Sequence, residues 1–263
     1  MSILKEIYDY KINYVEKQKL IITQSEIQKK INISRSNKFP FYRKLANQNN
    51  NISIIGELKR ASPSVGTIVN ESTDLVKIAN LYEANNIACL SILTDEKYFK
   101  GSMDDLVKVR ENTNMPILRK DFIVDEYQIY ESKLIGSDCI LIILSMLNQK
   151  DADKFSKIAK DLELDTILEV HNIDELNRAM KMESNMIGIN NRNLNNFYTD
   201  INTTINLYKN VKNIDKLLIS ESGINGKSDI KKIHNATGIN NFLIGEYLMK
   251  SKQLENHINN LLN

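Results

Sequence analysis

Lysine and glutamate recur in this chain at the ends of short apolar runs. The first such run finishes in Glu57-Leu58-Lys59-Arg60, another in Arg119-Lys120-Asp121, and a third at Glu169. Further runs finish in Asn190-Asn191-Arg192, Ser220-Glu221-Ser222-Gly223 and Gly245-Glu246. An ammonium group at neutral pH can donate a proton and steady developing negative charge, and a carboxylate can remove one. Side chains alternate along a strand, so Ile55, Glu57 and Lys59 share one face. With Ile55 turned inward, Glu57 and Lys59 project past the strand end. Leu118 with Lys120, and Ile167 with Glu169, follow the same rule. Two lysines and two glutamates are therefore expected to converge over one cavity. The competing reading is a rim of structural salt bridges.

A second signal points to an anion. Ser222-Gly223 and Gly245-Glu246 end the last two apolar runs. Glycine at such turns lets backbone N–H groups approach a phosphate, and a short helix starting near Glu246 would aim its N-terminus at it.

These side chains need a scaffold that gathers strand ends on one rim. Eight candidate strands run over Ser53–Leu58, Ile87–Leu93, Met115–Arg119, Asp138–Ile143, Thr166–Val170, Met186–Asn190, Lys216–Ser220 and Asn241–Ile244. Amphipathic stretches such as Leu75–Ala84 and Asp151–Leu162 fill the gaps. Strand then helix, eight times, predicts an α/β fold of the (β/α)₈ type, a TIM barrel. A doubly wound open sheet is the alternative, but its G-x-G-x-x-G loop after the first strand is missing. Residues 1–50 form a helical extension expected to pack on the barrel of residues 51–263. Ile3, Ile7, Tyr10, Tyr14 and Val15 recur there at helical spacing, a second helix is predicted over Gln24–Ile31, and Phe41, Tyr42 and Leu45 supply anchors.

Composition excludes several classes. A net charge of +2 over 263 residues gives no footprint for nucleic acid or an anionic membrane. Cys89 and Cys139 lie in apolar runs and read as core thiols, not a disulfide. His171, His234 and His257 show no metal-ligand spacing. The N-terminus carries no signal-type apolar stretch, which predicts a cytoplasmic enzyme. No cofactor is expected, the partner is a small phosphorylated molecule, and a monomer is favoured over a weak dimer.

The segment Glu57-Leu58-Lys59-Arg60-Ala61-Ser62-Pro63-Ser64-Val65-Gly66 resembles the hallmark stretch of the indole-3-glycerol-phosphate synthases. The likeness continues through Ser91–Asp95, Tyr98–Ser102, Pro116–Phe122, Leu168–His171, Ile187–Arg192, Ser220–Ile224 and Phe242–Gly245, in order and at family spacing. Gly56, Val65 and Asn193 depart from the usual residues; Asn193 puts the hydrogen bonding of its loop in question. The resemblance implies ring closure, decarboxylation and dehydration of 1-(2-carboxyphenylamino)-1-deoxyribulose 5-phosphate. It implies Lys120 as general acid, Glu169 as base, Lys59 as anion-holding and proton-delivering, and Glu57 and Asn190 as orienting groups. Phe99 and Phe122 would form the aromatic slot, with Ser62, Arg192, Ser222 and Leu243 also on the substrate. Lys59, Ser222, Gly223, Gly245 and Glu246 would cradle phosphate. A Schiff-base aldolase on the same fold, or a non-catalytic barrel subunit, are the alternatives.

Overall fold

The computed structural model describes residues 3–31, 39–47, 51–194, 196–211 and 215–262. Eight parallel strands close a barrel: β1 (Ser53–Leu58), β2 (Cys89–Leu93), β3 (Ile117–Lys120), β4 (Cys139–Ile143), β5 (Asp165–Val170), β6 (Met186–Asn190), β7 (Leu217–Glu221) and β8 (Asn241–Ile244). Each pairs with its sequence neighbours and β1 closes against β8. Three predicted strands match at both ends. The others shift by one or two residues at one end or both. Two of these shifts matter for the site: β3 runs on to Lys120 and β7 to Glu221, carrying both side chains into the regular alternation.

Alternation sorts the apolar residues into two layers. Ile55, Leu118, Ile167, Ile219 and Leu243 fill the barrel lumen together with Cys89 and Cys139, while Ile54, Ile92, Ile140 and Leu168 face the helices. Both cysteines are free and buried. Outer helices start where a short polar side chain can cap them. Asn148 accepts from the N–H of Asp151, and Asn172 from that of Glu175. Ala152, Phe155, Ser156 and Ala159 then recur at three- and four-residue spacing and turn that helix's buried face to the barrel.

Among the described residues three helices precede β1: α1 (Ile3–Ile21), α2 (Gln24–Lys30) and α3 (Pro40–Ala46). The predicted boundary at residue 50 lies outside the described residues. Thr23 caps α2 in a reciprocal capping box with Glu26. Val15 and Ile27 pack with Tyr127 from the helix after β3. Phe41 and Leu45 of α3 join the luminal cluster, and the N–H groups of Phe41 and Tyr42 donate to Asp165 Oδ2, both at 3.0 Å. Asp165 opens β5, so α3 stoppers the N-terminal end of the barrel and leaves the opposite mouth for chemistry.

Candidate active site at the C-terminal mouth of the barrel

Glu57, Lys59, Lys120, Glu169 and Asn190 meet over the C-terminal ends of the strands. Lys59 Nζ lies 2.6 Å from Glu57 Oε1, and Lys120 Nζ lies 3.6 Å from Glu57 Oε2. Lys120 also contacts Glu221 Oε2 at 2.7 Å. Glu169 Oε1 faces His171 Nε2 at 3.2 Å, and the Asn190 side chain lines the same cavity and helps lower the pKa of the Glu169 carboxyl. The Asn190 side-chain oxygen accepts from Arg192 N–H at 2.9 Å, which fixes which end of the amide faces Glu169.

Burial and charge set the protonation of this group. Burial opposes charge on Glu57, yet the ammonium groups of Lys59 and Lys120 outweigh it and hold the carboxyl below its usual range. Burial likewise opposes charge on Glu169, but His171 and then Lys120 keep it ionised. His171 is partly buried, which opposes its charge, and its pKa is nevertheless pushed up to about 10 by Glu169 and Glu175. Lys120 is raised above its ordinary value because Glu221, Glu57 and Glu169 together exceed the burial penalty. Glu221 is the odd carboxylate. Burial, Glu169 and Glu57 push it up to about 7 even though Lys120 pulls it down. Glu57 and Glu169 each have a cation that keeps them ionised, whereas Glu221, crowded by both, gives up its proton less readily.

Two adjoining cavities open from this cluster. One, of about 80 Å³, is lined by Phe99, Phe122, Leu93, Leu141, Ile143 and Leu194, with Lys120, Glu169, Asn190 and Arg192 on its polar side. The Phe99 and Phe122 ring centroids are 6.1 Å apart. The other, of about 320 Å³, is lined by Ser222, Gly223, Leu243, Gly245, Glu246, Lys59, Ser64 and Arg192. Ser222 and Gly223 both take left-handed backbone, φ 67° and 74°. Gly223 accommodates this without cost, and a Cβ there would also meet Thr199 at 2.4 Å. The helix Glu246–Met249 starts at this second cavity.

Most predicted site residues thus line one cavity or both. Ser62 is buried and lines neither; its hydroxyl lies 3.3 Å from that of Ser64, which does. The Glu246 carboxylate is paired to Lys250 at 2.6 Å and to Arg192 at 3.5 Å, so what it offers an anion is its backbone N–H. Gly245 has φ −119°, ordinary backbone; a Cβ there would sit 2.3 Å from Glu57 Oε1, so the glycine clears space for that carboxylate. The Asn193 loop is closed by its own backbone, with N–H donating to Tyr198 O and carbonyl accepting from Phe197 N–H.

Four residues that make site contacts had no role assigned from the sequence. Glu221 is fully buried, and Gly188 makes room for it: a Cβ there would meet Glu221 Oε1 at 1.9 Å. Extending the inward parity of Ile219 by two residues would have found it. His171 and Glu175 extend the Glu169 contact outward, His171 Nδ1 lying 3.1 Å from Glu175 Oε2. Lys11 of α1 reaches Asp95 and Asp121 behind the aromatic slot, and its spacing within the α1 stripe carries no hint of a distant partner. Among the described residues no three His, Cys, Asp or Glu side chains form a group that could hold a metal ion, and no helix is long and apolar enough to cross a membrane.

Fold and site together define a (β/α)₈-barrel enzyme with lysine and glutamate side chains gathered beside two cavities at the C-terminal mouth. The chain belongs to the indole-3-glycerol phosphate synthase family, whose model matches residues 4–261. Curated relatives carrying that description include one from Clostridium kluyveri, 50% identical over 77% of this chain and 76% of the relative. One from Caldanaerobacter subterraneus is 42% identical over 94% of this chain and 93% of the relative. One from Legionella pneumophila is 43% identical over 81% and 82%. The activity is that of an indole-3-glycerol phosphate synthase, EC 4.1.1.48, a lyase of tryptophan biosynthesis. Among solved structures, a chain from a study of the tryptophan synthase complex of Pyrococcus furiosus superposes with a TM-score of 0.58 at 12% identity, covering 80% of this chain and 97% of that one. A thiamine phosphate pyrophosphorylase from the same organism gives 0.60 at 12%, covering 82% and 96%. Both show the fold alone.

Proposed function

We propose that the two cavities seat the two ends of 1-(2-carboxyphenylamino)-1-deoxyribulose 5-phosphate and that Lys120 protonates its ketone oxygen during ring closure. The observation that carries this reading is the position of Lys120. Its ammonium lies between Glu221 and Glu57, on the wall of the slot that holds Phe99 and Phe122. The carboxyphenyl ring enters that slot, where poor solvation of its carboxylate favours loss of CO₂. The phosphate enters the neighbouring cavity, met by Lys59, Ser222 and the backbone N–H groups of Gly223, Gly245 and Glu246. Arg192 and Leu243 border the bound chain, and Ser62 acts through Ser64.

Ring closure joins an aromatic carbon to the ketone carbon as the ketone oxygen takes a proton from Lys120. Departure of CO₂ leaves its bonding electrons on the ring. Glu169, held ionised, then removes the proton that completes dehydration, and the departing hydroxyl is protonated by Lys59 or by a recharged Lys120. Glu57 and Asn190 hold the lysines and Glu169 in place. Glu221 near its midpoint returns a proton to Lys120 between steps.

A Schiff-base mechanism needs a neutral lysine. Lys120 is held in the opposite state by its carboxylates. Every side chain in this reading comes from one chain, so a fully active monomer in sizing chromatography is the expected result. The reading also places the enzyme in the cytoplasm, with Cys89 and Cys139 as buried free thiols. Incubation with the carboxyphenylamino substrate while following indoleglycerol phosphate fluorescence tests the reaction. Borohydride trapping of a covalent adduct on Lys120 would overturn the mechanism.

A further inference from the structure

Lys11 sits in the middle of α1 on the stripe Ile7, Lys11, Val15, whose four-residue spacing turns it inward. Only 2% of the residue is exposed. A buried ammonium is tolerated only when its charge and donors are met. Lys11 Nζ meets Asp95 Oδ2 at 2.9 Å and Asp121 Oδ1 at 2.7 Å, and both carboxylates are buried as well.

Each aspartate governs one wall of the aromatic slot. Asp95 follows β2, and its other oxygen accepts from Tyr98 N–H at 2.6 Å, capping the short helix Glu96–Phe99 that ends in Phe99. Asp121 follows β3 directly after Lys120. It accepts from Phe122 N–H at 2.8 Å and from the Thr94 hydroxyl at 2.7 Å, and it pairs with Arg119 at 3.1 Å. One ammonium from outside the barrel therefore ties together the two strand-end segments that carry Phe99, Phe122 and Lys120.

We propose that Lys11 is a positioning residue for the substrate's carboxyphenyl ring, fixing the separation of Phe99 and Phe122 through Asp95 and Asp121 without touching substrate. The proposal rests on the assignment of that slot to the ring. The phosphate cavity is built from the ends of β1, β6, β7 and β8 and has no bond to Lys11 or its aspartates, so the two halves of the substrate should respond differently. A role in stability alone would leave every constant of the folded enzyme in place.

The test uses the full chain and three constants. These are kcat/KM for the carboxyphenylamino substrate, the inhibition constant of anthranilate as a probe of the ring slot, and that of inorganic phosphate as a probe of the other cavity. Lys11→Met should lower kcat/KM by up to about 10²-fold, the scale of remote misplacement. Anthranilate should weaken with it, and phosphate should not. Lys11→Arg keeps the charge but presents a wider planar head, and should show a smaller change in the same two constants. It carries the test if Lys11→Met does not fold. The proposal is overturned if both probes weaken together in a folded variant, or if neither moves. Failure of the slot assignment itself would show in the unmodified enzyme, as anthranilate inhibition that does not compete with substrate.

Discussion

Lys120→Met separates the chemical role of the site from its electrostatic cost. The substitution keeps most of the stem volume and removes the ammonium that lies 2.7 Å from Glu221, whose side chain is 0% exposed. Breaking a buried ion pair from one side costs about 3–5 kcal/mol when the remaining charge stays ionised. Glu221 has an escape, because its pKa already stands near 7 and rises further without Lys120. A carboxyl whose folded pKa exceeds its unfolded value of 4.5 lends stability that is complete below 4.5 and lost as pH climbs through the folded value. The deficit of Lys120→Met should therefore be small near pH 5.5 and approach the full about 3–5 kcal/mol near pH 8.5. Adding Glu221→Gln should remove the pH dependence and restore most of the stability. Catalysis should not return. Loss of a positioned acid costs about 10²- to 10⁴-fold in kcat, equal to roughly 3–5 kcal/mol of barrel-mouth transition-state stabilisation. Urea melts at both pH values, paired with single-turnover fluorescence, give both quantities. A folded Lys120→Met enzyme with near-normal kcat refutes the general-acid assignment. Recovery of turnover in the double variant would show that Lys120 serves only to neutralise Glu221.

Lys59→Met should instead raise KM as well as lower kcat, since Lys59 borders both cavities; equal effects of the two lysine substitutions on every step would erase the division of labour. Gly245→Ala should lower kcat and not merely raise KM, because its Cβ would lie 2.3 Å from Glu57 Oε1 and displace the carboxylate that holds both lysines; a pure KM effect in steady-state kinetics would return the glycine to a phosphate role alone. His171→Asn should flatten stability between pH 7 and 9.5, since the raised imidazole lends stability complete below its unfolded value of 6.5 and lost as pH climbs toward about 10; denaturant melts with the same slope as the unmodified protein would exclude a charged His171. Phe41→Ala should cost about 3–5 kcal/mol by emptying the stopper of the barrel, with kcat preserved; a drop under about 1 kcal/mol would show that α3 does not seal the lumen.

Parity made most of the polar rim legible. Once β1, β3 and β5 were placed, the inward turn of Ile55, Leu118 and Ile167 committed Glu57, Lys120 and Glu169 to one cavity, and the structure puts them there. The same rule reaches Glu221 from Ile219, and a strand end drawn one residue early hid it. That miss has a physical source. Charge at a strand terminus normally marks the point where the chain meets water, so a glutamate after an apolar run reads as a boundary. Here the boundary is false because Lys120 and the space left by Gly188 let the carboxylate stay inside.

Lys11 was illegible for a different reason. Helical spacing locates it on the inward face of α1 but says nothing of what that face meets. Its partners Asp95 and Asp121 belong to two separate strand ends, and only the closed barrel brings them within 3 Å of one nitrogen. The glycines stand between these cases. Gly188 and Gly245 look like turn formers or anion cradles in a sequence, yet each is required by a glutamate on a neighbouring strand. β6 pairs with β7 and β8 with β1, so a side chain at either glycine would strike the carboxylate beside it. Glycine and buried glutamate thus form one unit across adjacent strands: the missing Cβ creates the volume, and the nearby ammonium makes the charge in it tolerable. Neither half has a reason to exist without the other, and this coupling places two of the carboxylates, Glu57 and Glu221, against the two lysines.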